Sequence, residues 1–199
     1  MKKTIISITL IFSINVFAQT SLTNLVPIFV IKQEPLYASM GNNIQWFKQK
    51  INSEDATLQK RTPTNLIDIN LQDLTETITS NMTNHVWRYE STTDTVYIHP
   101  ETNAISMTFF NSIAVTNTAV DMLFSMDGEL GINKLGIRFE TGIFIGDYKW
   151  SEKEISFELE NVFLWEILDE ICAQLDDRKR WHLVKSEPGK IFKYAIFFY

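Results

Sequence analysis

Apolar residues recur at steps of three and four in two places along the chain. Leu71, Leu74, Ile78 and Met82 form one set, and Leu164, Ile167, Ile171 and Leu175 form the other. Each set makes a single stripe on a helix of 3.6 residues per turn, so amphipathic helices are expected over 69–82 and 160–175. Asn70 is placed to cap the first helix, with Asp73 in its first turn, and Asn161 to cap the second, with Glu166 following. Apolar-polar alternation in ISFEL (155–159) predicts a half-buried strand before the second helix, and LIDIN (66–70) is its counterpart before the first. A Trp opens a hairpin pattern after each helix: WRYESTTDTVYIH from Trp87 and WHLVKSEPGKIFKY from Trp181. In both, a short apolar run, a polar turn and a second apolar run follow one another, and Pro188-Gly189 is the stronger turn signal. The chain therefore writes a strand–helix–strand–strand unit twice.

Between the two units, AISMTFFNSIAV (104–115) reads as a strand and TNTAVDMLFSMDGELG (116–131) as a helix, together a third, degraded strand–helix unit. The run LGIRFETGIFIGDYKW (135–150) is β-rich with Gly at turns. VPIFVI (26–31) predicts a strand, NIQWFKQKI (43–51) a short helix or loop, and the polar segment 52–65 a linker. The expected class is α+β, with short amphipathic helices packed on one face of small mixed or antiparallel sheets. The expected organisation is a signal peptide at 1–18, an N-terminal strand and linker region at 19–65, a first unit at 66–100, a middle β/α segment at 101–150 and a second unit at 151–199.

The first residues change this picture by adding a compartment. Lys2 and Lys3 precede a mostly apolar run from Thr4 to Phe17, and Val16-Phe17-Ala18 offers short side chains where a signal peptidase cuts, before Gln19. An apolar run this short does not span the roughly 30 Å of a bilayer core, and no later stretch approaches a transmembrane length. The expectation is an exported protein, periplasmic or secreted, with no transmembrane span after signal removal. Loss of the two lysines takes the formal net charge from −6 to −8, which disfavours a nucleic-acid partner. Cys172 is the only cysteine, so no internal disulfide stabilises the exported chain, and a packed core must do so. Five Trp and fourteen Phe are enough to build one.

The second unit, ISFELENVFLWEILDEICAQL with its Trp-led hairpin, resembles the short N-terminal domain of secretins and TonB-dependent receptors. The matching positions are Asn161, Val162, Leu164, Ile167, Leu168 and Ile171, over about 155–198. These are core positions, so the resemblance speaks for fold more than for activity. It implies a periplasmic strand–helix–strand–strand module that docks onto another envelope protein.

Few residues suggest chemistry. His85, His99 and His182 lack the short spacings of a zinc site, and Cys172 lies in a helix interior with no neighbour to favour its thiolate. No nucleophile elbow, metalloprotease helix, phosphate loop or calcium loop occurs, so neither an enzyme nor a cofactor is expected. Ten acids between Asp147 and Asp177 contrast with a basic hairpin carrying Arg178, Lys179, Arg180, Lys185, Lys190 and Lys193. Two functional classes remain: a non-catalytic docking module, or a small-ligand-binding or inhibitory protein with a cleft between the repeated units. Trp87, His99, Glu101, Trp181 and His182 are the candidate ligand or partner contacts. N-terminal sequencing of the protein recovered from its natural host should begin at Gln19, and an intact Met1-Lys2-Lys3 terminus on protein in the cytoplasm would refute export.

Overall fold

The computed structural model of the 199-residue chain describes residues 25–31, 36, 50–55, 64–140, 151–176 and 180–198. The fold is α+β, as expected. Strands β1 (Leu25–Ile31), β2 (Lys50–Glu54) and β3 (Thr64–Asn70) lead into helix α1 (Leu71–Ser80), which is followed by β4 (His85–Glu90) and β5 (Thr95–Pro100). A 3-10 turn at Ile105–Met107 precedes β6 (Phe109–Ala119), two one-turn helices, α2 (Val120–Leu123) and α3 (Ile132–Leu135), and β7 (Ile137–Phe139). Then come β8 (Glu154–Phe163), α4 (Leu164–Leu175), β9 (Trp181–Lys185) and β10 (Tyr194–Phe198). The segment expected to be a signal peptide, residues 43–49 of the expected short helix or loop, and residues 141–150 lie outside the described residues.

The strands make two antiparallel ribbons, β1-β3 and β6-β8, and a six-stranded sheet in the order β4-β5-β2-β9-β10-β7. The chain clusters into two compact units: residues 1–49, 57–83 and 87–97 in one, residues 50–56, 84–86 and 98–199 in the other. The division does not follow the sequence repeat, because β2 belongs to the second unit although it lies between β1 and β3 in sequence.

In the first unit, α1 starts where expected. The Asn70 side chain accepts the Asp73 N–H at 2.8 Å, satisfying one of the donors a helix start leaves free. Leu71, Leu74 and Ile78 are buried along one stripe, with Met82 continuing it beyond the helix. In the second unit Leu164, Ile167, Leu168, Ile171 and Cys172 are buried on α4 in the same way. Cys172 is thus a small core residue.

The repeat extends to strand register. In β1-β3 the first pair is Leu25 with the α1 cap Asn70, followed by Val26 with Ile69 and Ile28 with Ile67. In β6-β8 the first pair is Phe109 with the α4 cap Phe163, followed by Phe110 with Val162 and Ser112 with Glu160. The position skipped in each is the strand residue two before the helix cap, and both have left-handed backbones: Asp68 (φ 50°) and Asn161 (φ 54°). Asn and Asp tolerate this conformation better than other side chains with a Cβ. The sheet repeats as well, since β4-β5-β2 and β9-β10-β7 are the same succession of a hairpin plus the preceding single strand.

Three expectations change. Asn161 does not cap α4; it carries the left-handed kink, and the cap position falls to Phe163. Phe has no acceptor, so only the reciprocal bond is made, from the Phe163 N–H to Glu166 Oε2 at 2.8 Å. The polar segment 52–65 begins as the buried strand β2 rather than as a linker, and residues 56–63 lie outside the described residues. The helix expected at 116–131 shrinks to the single turn of α2, because Thr116 to Ala119 extend β6 along β8. After it, Gly128 packs so close to the Met122 and Leu123 carbonyls that a Cβ would sit 2.3 Å from each. Of the β-rich run 135–150 only 135–140 are described, and Ile137–Phe139 is a strand there. It follows α3, which the hydrophobic pattern did not predict.

Truncating Ile78 or Ile171 to Ala should each cost about 2–5 kcal/mol, because both side chains are fully buried at matching places. Thr77→Ala, at a partly exposed position on α1, should cost about 0.5 kcal/mol. Urea unfolding measures all three; similar mildness at Ile78 and Thr77 would show that the first helix lacks the core its burial implies.

Candidate functional site

The most concentrated polar chemistry lies in the second unit, where β2 runs parallel to β9. Two residue pairs define this junction, Ser53 with His182 and Glu54 with Leu183. The Asp55 N–H donates to the Leu183 carbonyl at 2.6 Å, with Asp55 left-handed at φ 49°. Asn52, Ser53, Glu54, Arg180 and His182 are all buried here.

Each side chain is placed by its element. Alternation along β2 turns Asn52 and Glu54 to one face and Ser53 to the other. Asn52 Nδ2 donates to Asp169 Oδ1 on α4 at 2.9 Å, while its Oδ1 accepts the Trp181 N–H at 3.1 Å. The same Asp169 oxygen accepts Trp181 Nε1–H at 2.8 Å. Strand, helix and neighbouring strand are thereby tied through one amide and one carboxylate. Glu54 is fully buried, and its carboxylate accepts the backbone N–H groups of Ile105 and Ser106 at 2.7 and 2.8 Å. The Glu54 carbonyl accepts a bond at 3.2 Å from His85 Nε2, which therefore carries that ring's proton.

Ser53 Oγ is hydrogen-bonded to His182 Nδ1. Burial, and then the neighbouring Arg180 charge, lower the His182 pKa from 6.5 to about 3. The ring is therefore neutral at physiological pH. A hydroxyl beside an imidazole has the composition of an activated nucleophile. Here both groups are sealed from solvent, and a base titrating near 3 is far from the neutral value that proton abstraction favours. The pair holds strands together. Tyr194 on β10 is half-buried, and burial together with the charges of Glu54 and Asp55 raises its pKa.

The residues expected to touch a ligand or partner are dispersed. Trp181 is 1% exposed and His182 is fully buried, so both side chains face the core. His99 is half-buried with Nδ1 2.8 Å from the Pro100 carbonyl, and Glu101 is exposed at the foot of the hairpin, its N–H donating to the Asn84 carbonyl at 2.8 Å. Trp87 is half-buried and belongs to the first unit. Arg180, counted with the basic hairpin, is buried as well.

The pattern-based reading passed over Asn52, Ser53, Glu54 and Asp169. The first three sit in a polar run that reads as solvent-exposed, and Asp169 reads as part of a solvated helix face. One signal was available: Ile51-Asn-Ser-Glu54 and Ile137-Arg-Phe-Glu140 share an Ile-x-x-Glu pattern. Among the described residues no helix is long and apolar enough to cross a membrane, and no group of three or more acidic, His or Cys side chains is arranged to hold a metal. No family model, curated protein or solved structure matches the chain.

The depressed His182 pKa makes a signed prediction. The folded protein refuses a proton that the unfolded chain accepts below pH 6.5, so this residue's contribution to stability is constant above that pH. It is lost as pH falls from 6.5 towards 3, with a limiting slope of about 1.4 kcal/mol per pH unit. His182→Asn, which keeps a polar partner for Ser53, should unfold more easily at pH 7 and show a shallower loss over that window. Parallel stability–pH curves for the two proteins would contradict the assignment.

Proposed function

We propose that the protein is a non-catalytic, exported docking module of the bacterial envelope that binds another envelope protein through apolar side chains at the ends of its ribbons. One observation carries this reading. Leu25 in the first unit is 63% exposed and Phe109 in the second is 51% exposed, although both are large and apolar. They occupy the same register position, opposite the residue that caps the following helix. A single exposed apolar side chain is ordinary; the same exposure at equivalent positions of two diverged repeats is a placement that recognition would explain. Phe109 also meets Phe163 edge-to-face at 5.4 Å, a firm backing for an anchor residue, and Met107 nearby is exposed too.

Three further observations support the reading. At the β2-β9 junction Ser53 is bonded to His182, Asp169 to Asn52 and Trp181, and Glu54 to two backbone N–H groups, so these side chains are committed to structure. The strand–helix–strand–strand order is the one expected of the short N-terminal domain of secretins and TonB-dependent receptors. The N-terminal segment has the composition of an export signal. The ligand-binding alternative draws less support, because Trp181, one of its expected wall residues, is committed to Asp169 and the core.

Phe109→Ser tests the proposal. In affinity capture from periplasmic extract, an envelope protein retained by the wild-type chain should be lost from the variant, while thermal stability falls little because the side chain is half exposed. Equal capture by both proteins would remove Phe109 as the anchor.

A further inference from the structure

The sheet joins its two repeats by one edge of each. In the first repeat the triplet β4-β5-β2 ends on β2, in the second the triplet β9-β10-β7 begins on β9, and the parallel β2-β9 pair closes the seam. The outer edges of the sheet are then β4, the counterpart of β9, and β7, the counterpart of β2. Among the described residues each has a single strand neighbour, β5 and β10 respectively. The chain thus presents at its two ends the same two kinds of edge that it already joins in its middle.

We propose that the β7 edge of one molecule pairs with the β4 edge of a second copy of this chain, repeating the β2-β9 seam head to tail. The β7–β4 pair would join the same two kinds of strand as the β2–β9 pair. Such an interface is heterologous, and it closes into a ring or grows into a filament.

Two observations select this occupant. The first is the paired tryptophans. Trp181 at the seam is sealed to 1% exposure, whereas its counterpart Trp87, on the free edge strand, stays half-buried. Among the described residues no strand lies beyond β4 on that side. The second is charge. At the seam the β2 residue Asn52 bonds Asp169 of α4 at 2.9 Å. By the Ile-x-x-Glu match the β7 counterpart of Asn52 is Arg138, and by the helix alignment the α1 counterpart of Asp169 is Glu76. An amide–carboxylate contact inside the chain becomes a guanidinium–carboxylate contact between chains. Both side chains are available: Arg138 is 50% exposed, near Glu140 at 3.2 Å and over the Phe192 ring at 5.3 Å, and Glu76 is exposed beside Gln72 at 3.0 Å. Neither present contact is strong at such exposure. This inference does not rest on the envelope partner proposed above.

Sedimentation velocity on the purified chain over rising concentration tests it. The wild-type mass should grow beyond a dimer, and growth should weaken as salt rises. Arg138→Glu and Glu76→Arg should each weaken association by about tenfold or more, since each sets like charges against one another. Mixing the two variants should restore it, because each supplies the reversed charge that the other requires. Unchanged thermal melts of the separate variants, together with rescue on mixing, distinguish a lost interface from a lost fold. A wild-type protein that stays monomeric overturns the proposal. So does growth that stops at a dimer, association that ignores both charge reversals, or a mixture no better than its parts.

Discussion

Two backbones meet in parallel at Ser53-Glu54 and His182-Leu183, and around this short contact the second unit arranges its buried polar groups. Two backbone pairs hold a strand weakly by themselves. Their side chains add what the backbone lacks: Asn52 bonds both α4 and β9, Ser53 bonds His182, and Glu54 collects two N–H groups from the 3-10 turn. Burying such groups is costly unless each is satisfied, so the set works as a whole or not at all. A slip of one residue would turn Ser53 to the opposite face and part Asn52 from Asp169 and Trp181. The polar groups therefore select one register, where an apolar seam would tolerate several.

The ribbons rely on a different and purely local device. A left-handed residue two positions before the helix cap interrupts pairing and redirects the strand into the helix. Asp68 and Asn161 do this before α1 and α4, and Asn117 (φ 45°) stands in the same place before Ala119, the residue that caps the short α2. Beyond Asn117, Ser156 bridges the irregularity by accepting the Asn117 N–H at 2.8 Å and donating to its side-chain oxygen at 3.1 Å. The outer edge of β8 is closed at that point by Gln174 of α4, whose amide bonds both the Ser156 N–H and its carbonyl at 3.0 and 2.8 Å. An exposed strand edge is thereby capped by a side chain acting as a substitute strand.

The elements legible from the pattern were those governed by periodicity and local chemistry. The stripes of α1 and α4, the Asn70 cap and both hairpins required only spacing and turn residues. Asn161 was misplaced because one property, a short polar side chain beside the backbone, suits both a helix cap and a left-handed turn, and residue type alone does not separate them. Strand β2 was missed for a stronger reason. Asn, Ser and Glu in succession are buried here only because α4, β9 and the 3-10 turn supply partners from residues 105–182, and a local window contains none of them. The inward placement of Trp181, His182 and Arg180 escaped notice for the same reason. The register match between the ribbons needed backbone pairing to become visible, since Leu25 and Phe109 share little beyond being apolar.

The seam also sets an order of events. Ser53 and His182 are 129 residues apart in sequence. Ribbon β6-β8 with α4, and the β9-β10 hairpin, close over far shorter loops and can assemble before that distance is bridged. Long-range parallel pairing is slow to nucleate, because chain entropy is lost before any contact compensates. Strand β2 also neighbours β5, which lies closer in sequence, but its other edge stays open until β9 has been made. The seam is thus the last part of the sheet to close, and an error of register there is met only after the hairpins on either side of it are in place.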